Sequence, residues 1–170
     1  MKRLTFMRHG NAQWKDPQIT DFDRSLTRRG TAEAEAMARR LAELALVPIL
    51  LMTSSARRAQ QTADIVAREL GVPPRHIRSE ESLYLAGAQD ILRVLKTMGP
   101  RIPHLMIVGH NPGISDAAQL LAPQLGSLEL ATGAMCSLSF EARTWSGVNA
   151  AALRHSQSEA PSLGLFRMFA

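Results

Sequence analysis

The chain is short of several things, and each shortage excludes a class of protein. Cys136 is the single cysteine in 170 residues, so no internal disulfide can staple the fold and no cysteine-rich metal knuckle can form. A lone thiol suits a reducing compartment, and a cytoplasmic location is expected. It lies in the run Ala134-Met135-Cys136-Ser137-Leu138, which reads as a buried structural thiol rather than a nucleophile. Aromatic residues are only 5%, whereas nucleic-acid binders interleave aromatics with a basic stripe. No apolar run approaches the roughly 20 residues of a membrane span. Lys2, Arg3, Arg8 and His9 leave no secretory apolar core near the start. Neither nucleic acid nor membrane is therefore an expected partner. Lysine is scarce as well: 17 of the 20 basic residues are arginine, in a chain of net charge +5. Several fall in scattered pairs, Arg28-Arg29, Arg39-Arg40 and Arg57-Arg58, that read mostly as solvated helix faces.

What is present is an ordinary globular composition, 45% hydrophobic and 21% charged, over a length that suits one domain, residues 1–170. Short apolar runs alternate with helical segments, the pattern of an α/β fold with a three-layer, mainly parallel sheet flanked by helices. Strands are expected at 3–8, 47–52, 104–108 and 134–140, with short ones at 76–79 and 163–169. Helices are expected from the N-cap Thr27 through Leu44, over 56–70 with Gly71 as the stop, over 90–98, and after Pro112 with Ile114, Ala117, Ala118 and Leu121 facing the core. The stretch 141–162 suggests loops.

Chemistry-bearing residues recur at the ends of three apolar runs: Arg8-His9-Gly10, then Ser54 to Thr62 with Arg57-Arg58, then Val108-Gly109-His110-Asn111. Open parallel sheets bind ligands at the carboxyl ends of their strands, where helix N-termini also point. Guanidinium forks match phosphate oxygens, and imidazole near neutral pH serves as nucleophile, acid or base. Alone, each such residue is an ordinary surface or structural group; together they predict a site for a dianionic phosphoryl group. His76, His104 and His155 lack such company and read as structural or surface residues. No His-x-x-x-His pair or cysteine cluster suggests a metal.

The ordered set Arg8-His9-Gly10, Leu26-Thr27-x-x-Gly30, Ser54…Arg58-Ala59-x-Gln61-Thr62 and Gly109-His110-Asn111-Pro112 resembles the histidine phosphatase (phosphoglycerate mutase-like) superfamily across nearly the whole chain. Its short length, without a large insertion ahead of the His110 strand, is most similar to SixA-type phosphohistidine phosphatases. The resemblance implies a phosphoglycerate mutase-like fold, His9 as the nucleophile that becomes phosphohistidine, Arg8 and Arg58 as phosphate clamps, and His110 as a further phosphate ligand. It implies no cofactor and no metal. Arg57, one position from Arg58, would point about 100° away on a helix.

Two departures stand out. Ser55 occupies a position where the family usually has proline. The family's general acid also has no firm counterpart; Glu81 is the better candidate and Glu80 the other, and both also read as exposed loop glutamates. An imidazole leaving group, with a pKa near about 6.5, departs with little help from an acid, whereas an alkoxide needs a proton. The expected substrate is therefore protein phosphohistidine, acted on by a monomer. The alternatives are a small phosphomonoester such as a sugar phosphate, and a phosphate-binding module without chemistry; a mutase ranks last.

Overall fold

Six strands and four α-helices make up the described residues, 1–163, of the computed structural model. In chain order they are β1 (Lys2–Arg8), α1 (Arg28–Glu43), β2 (Leu50–Ser54), α2 (Arg57–Leu70), β3 (Ile77–Glu80), α3 (Ala88–Lys96), β4 (His104–Gly109), α4 (Gly113–Leu121), β5 (Met135–Phe140) and β6 (Leu153–Glu159). One sheet carries all six strands in the order β3-β2-β4-β1-β5-β6. β3, β2, β4 and β1 pair in parallel. β5 runs antiparallel to β1, and β6 antiparallel to β5. Only β5 is therefore reversed, and the expected mainly parallel sheet is observed.

The side-chain period of two sorts the strand residues onto two faces. Leu4, Phe6, Leu105, Ile107, Leu138 and Phe140 pack beneath α3 and α4, with Ile91, Leu95, Ile114 and Trp145. Met7, Leu51, Met106, Val108 and Met135 pack beneath α1 and α2, with Met37, Leu41, Ala63 and Val66. β4 is buried along its whole length, as a central parallel strand covered on both faces must be. Cys136 lies in this core, where burial pushes its thiol up to about 11, so it is an inert packing group.

Thr27 caps α1, its side chain accepting from Gly30 N, and Gly71 ends α2 at φ 69°. β2 begins later than expected, because Pro48 has no N–H to pair and Val47 and Ile49 are exposed. These residues form an extended lead-in, bonded to His104 through Val47 O and Ile49 N. α3 starts at Ala88, two residues earlier than expected. β6 falls within a stretch expected to be loops. Its sequence, Leu-Arg-His-Ser-Gln-Ser-Glu, carries no apolar alternation because among the described residues it is a sheet edge, paired on one side only. The strand expected at 163–169 lies outside the described residues, apart from its first position.

His104 begins β4 at the end of the sheet away from His9. Its Nδ1–H donates to Val47 O at 3.1 Å, and its Nε2 lies 2.9 Å from Thr5 Oγ1, which is itself 3.0 Å from Ser137 Oγ. Every polar atom is satisfied by a neutral ring, as a structural histidine requires. Burial, then the nearby Arg3 charge, push its pKa down to about 4. The unfolded chain takes up a proton near pH 6.5 and the folded one does not, so stability present above that pH drains away as pH falls toward 4. His104→Gln should therefore shrink the loss of unfolding free energy between pH 7.5 and pH 5 by about 2 kcal/mol, read from urea denaturation at the two pH values. An unchanged loss would show that His104 carries a proton in the native state.

Candidate active site

Strand register creates the site. Arg8 pairs with Gly109 across β1 and β4, so the next residues, His9 and His110, emerge side by side. Their rings lie 5.2 Å apart, centroid to centroid. β2 is the other neighbour of β4, and the chain leaving it reaches α2, whose second residue is Arg58. Arg57 is exposed whereas Arg58 is buried at 2%, as the 3.6-residue turn predicts. The Arg58 guanidinium threads between the two imidazoles, with Nε 3.4 Å from His9 Nε2 and Nη2 3.4 Å from His110 Nδ1.

Both histidines are poised by their other nitrogen. His9 Nδ1 lies 2.7 Å from Gly10 O, a pure acceptor, so Nδ1 carries the proton and Nε2 offers a lone pair. His110 Nε2 is 2.7 Å from Ser54 Oγ. Burial is the chief cause that pushes His9 down to about 3; the charges of His110, Arg58 and Arg8 add to it against the Gly10 bond. His110 is pushed to about 4, again first by burial and then by Arg58. Both rings are neutral at physiological pH.

Arg8 anchors Nη1 on Leu130 O at 3.1 Å, while its Nε is buried with no hydrogen-bond partner among the described residues. An unmet charged donor beside two neutral imidazoles and a second guanidinium is a demand for an oxyanion. Arg8, His9, Arg58 and His110 all line one open cavity of about 630 Å³. No group of three or more His, Cys, Asp or Glu side chains converges as a metal site among the described residues.

The sequence profile of the histidine phosphatase superfamily (branch 1) matches residues 4–81, the stretch that supplies Arg8, His9 and Arg58. The chain belongs to the histidine phosphatase superfamily. An uncharacterised chloroplastic protein of Arabidopsis thaliana is 30% identical over 129 residues, which is 71% of this chain but 59% of that protein; the match thus spans less than two thirds of that relative. A crystal structure from Agrobacterium tumefaciens, provisionally named a SixA phosphohistidine phosphatase, superposes with a TM-score of 0.79 at 26% identity, covering 94% of this chain and 98% of that one. A SixA structure from Nakamurella multipartitia shares the fold, with a TM-score of 0.80 at 23% identity and coverage of 94% and 96%. Superfamily membership, with the 26%-identical Agrobacterium structure, supports phosphatase, and hence hydrolase, activity.

Within this histidine phosphatase fold, the acid expected at Glu81 is not brought to the cavity. β3 ends at Glu80, and the 3-10 turn Glu81–Leu83 buries Leu83 while leaving Glu81 exposed. Glu80 is occupied too, accepting from Ser82 N and Oγ and from Arg78. The N-terminus of α4 makes no direct contact with the cavity either, since Asn111 lines it and the first turn of α4 does not.

Sequence reading missed Asp21. It reaches the cavity from the loop after β1, where its carboxylate accepts from Arg58 Nη2 at 3.1 Å, Tyr84 OH at 2.6 Å and Arg24 Nη2 at 2.9 Å. Partial burial pulls its pKa upward, but the bonds from Tyr84 and Arg24, with the charge and bond of Arg58, outweigh it and hold the carboxyl well below its usual range. Ser54 and Thr62 stood in the quoted motifs without a role. Ser54 holds His110, whereas Thr62 Oγ1 accepts from Gly10 N and donates to Arg58 O.

Arg58→Lys keeps the charge and loses the fork. Orthovanadate binding, measured by calorimetry on protein of native circular dichroism, should weaken by at least about tenfold. Undiminished affinity would remove Arg58 from the anion site.

Proposed function

We propose that this chain hydrolyses phosphohistidine on a protein through a covalent phosphohistidine of its own at His9. The observation that carries the reading is the unprotonated Nε2 of a neutral His9, 3.4 Å from Arg58 Nε, in a cavity where the Arg8 Nε donor has no hydrogen-bond partner among the described residues. Arg8 and the Arg58 fork take the phosphoryl oxygens, and His110 adds a ligand from the β4 side. A dianion entering the cavity raises the pKa of His110, so the ring gains the proton it needs to donate.

In the first step Nε2 attacks phosphorus, the bond from phosphorus to the leaving nitrogen breaks, and its electron pair stays on the departing imidazole, which takes the proton from His110. In the second step water attacks phosphorus and gives one proton back to His110, the pair of the bond from phosphorus to nitrogen returns to Nε2, and inorganic phosphate leaves. The work is positioning and charge stabilisation, supplied by guanidiniums and imidazoles without a metal in this scheme.

The acid inventory supports phosphohistidine as the substrate. Asp21 is the one carboxylate lining the cavity among the described residues, and its partners keep it ionised. An ionised carboxylate does not protonate an alkoxide, whereas an imidazole, a much weaker base, needs only the proton that His110 can supply. The open cavity admits a side chain presented by a protein.

A panel of phosphohistidine protein, sugar phosphates and an aryl phosphate, compared by kcat/KM, tests the reading. His9→Ala should cost at least about a thousandfold on every substrate turned over, and Glu81→Gln should leave phosphohistidine hydrolysis within twofold. If a sugar phosphate were preferred and Glu81→Gln lowered its turnover more than tenfold, the small-phosphomonoester reading would replace this one. Binding without turnover of any panel member would indicate a phosphate-binding module.

A further inference from the structure

Trp14 is 93% exposed, although tryptophan is among the most buried residue types on average. It is among the residues that line the cavity that holds His9 and Arg58. The chain on either side is not adrift. The preceding residue, Gln13, is held by its N–H to Ser25 O at 2.9 Å, by Arg24 Nη1 on its carbonyl at 2.7 Å, and by Ser25 Oγ on its amide oxygen at 3.0 Å. Arg24 in turn grips Asp21, which grips Arg58. A continuous series of polar contacts thus ties the backbone beside Trp14 to the phosphate clamp.

A second loop contributes Leu85, 58% exposed and also lining the cavity. Its φ of 49° is left-handed, a conformation that a leucine adopts only under constraint from its surroundings. The cavity is therefore two-toned. Its lining combines cationic and polar groups, Arg8, Arg24, Arg58, His9 and His110 among them, with an exposed indole and an exposed aliphatic side chain. Large apolar groups left uncovered at the rim of a polar site mark where the uncharged part of a ligand lies.

We propose that Trp14 is a specificity-determining residue that stacks on the leaving group, with Leu85 as its aliphatic companion, so that planar ring-bearing leaving groups are selected over small non-aromatic ones. The proposal rests on the phosphatase reading above and deepens it. Imidazole satisfies both ends of the cavity: the phosphoryl group reaches the arginines, and the flat ring meets the indole. A stacked or edge-on ring gains both buried apolar area and quadrupole attraction.

The test compares two substrates that share the scissile bond from phosphorus to nitrogen and differ in the ring, N-phosphoimidazole and phosphoramidate. The ratio of their kcat/KM values should fall about five- to tenfold in Trp14→Ala, chiefly through a raised KM for phosphoimidazole. Trp14→Phe should restore most of it. The fold supplies an independent optical readout, because the other tryptophan, Trp145, is buried at 1% exposure. In His9→Ala protein, phosphoimidazole should quench the exposed tryptophan's emission, and inorganic phosphate should not. A ratio within twofold of wild type, or equal quenching by the two ligands, would overturn the stacking role. If wild-type protein released phosphate from neither substrate, the phosphatase reading itself would fall.

Discussion

The 2.7 Å hydrogen bond from His9 Nδ1 to the carbonyl of Gly10 decides what this site can do. A carbonyl only accepts, so the bond chooses the tautomer, and the tautomer leaves Nε2 as a lone pair facing Arg58. The acceptor is itself fixed by the fold. Gly10 N donates to Thr62, and the Gly10 backbone lies so close to Gly30 that any Cβ at either glycine would collide with the opposing chain. Helix α1, helix α2 and the end of β1 thus converge on one peptide unit, and the orientation of the nucleophile follows from their packing.

The site is electrostatically incomplete as it stands. Arg58 is buried with one carboxylate, Asp21, sharing its fork, and Arg8 Nε has no hydrogen-bond partner among the described residues. The two histidines stay neutral first because they are buried and then because the guanidiniums beside them already make the cavity cationic. A phosphoryl dianion relieves these constraints together: it supplies acceptors to the arginines and makes protonation of His110 favourable. Linkage requires the reverse as well, so whatever makes the cavity bind the anion also makes the anion stabilise the fold.

Much of this was legible in the sequence, and the parts that were not share physical causes. The strands that carry the site, β1 and β4, are central and apolar, and their ends display Arg8-His9 and His110 in plain view. Arg58 separates from Arg57 by helical geometry alone. β6 escaped because an edge strand needs no apolar alternation. Asp21 escaped because it lies in an irregular polar loop, and only tertiary contact with Arg58, Arg24 and Tyr84 gives it meaning. Ser54 and Thr62 were visible as motif residues, but their work is to hold His110 and Gly10, which depends on strand register. The expectation at Glu81 failed to meet the cavity because the turn after β3 spends its inward-facing position on Leu83.

The central claim is that His9 is neutral, protonated on Nδ1 and bare at Nε2. Nitrogen-15 NMR of histidine-labelled protein, with His9 assigned by difference from the His9→Ala variant, measures this directly. The account predicts Nδ1–H, a pyridine-like Nε2 shift, and no titration of His9 between pH 8 and pH 5 in the anion-free protein. An Nε2–H tautomer, or an imidazolium at pH 7, would contradict it.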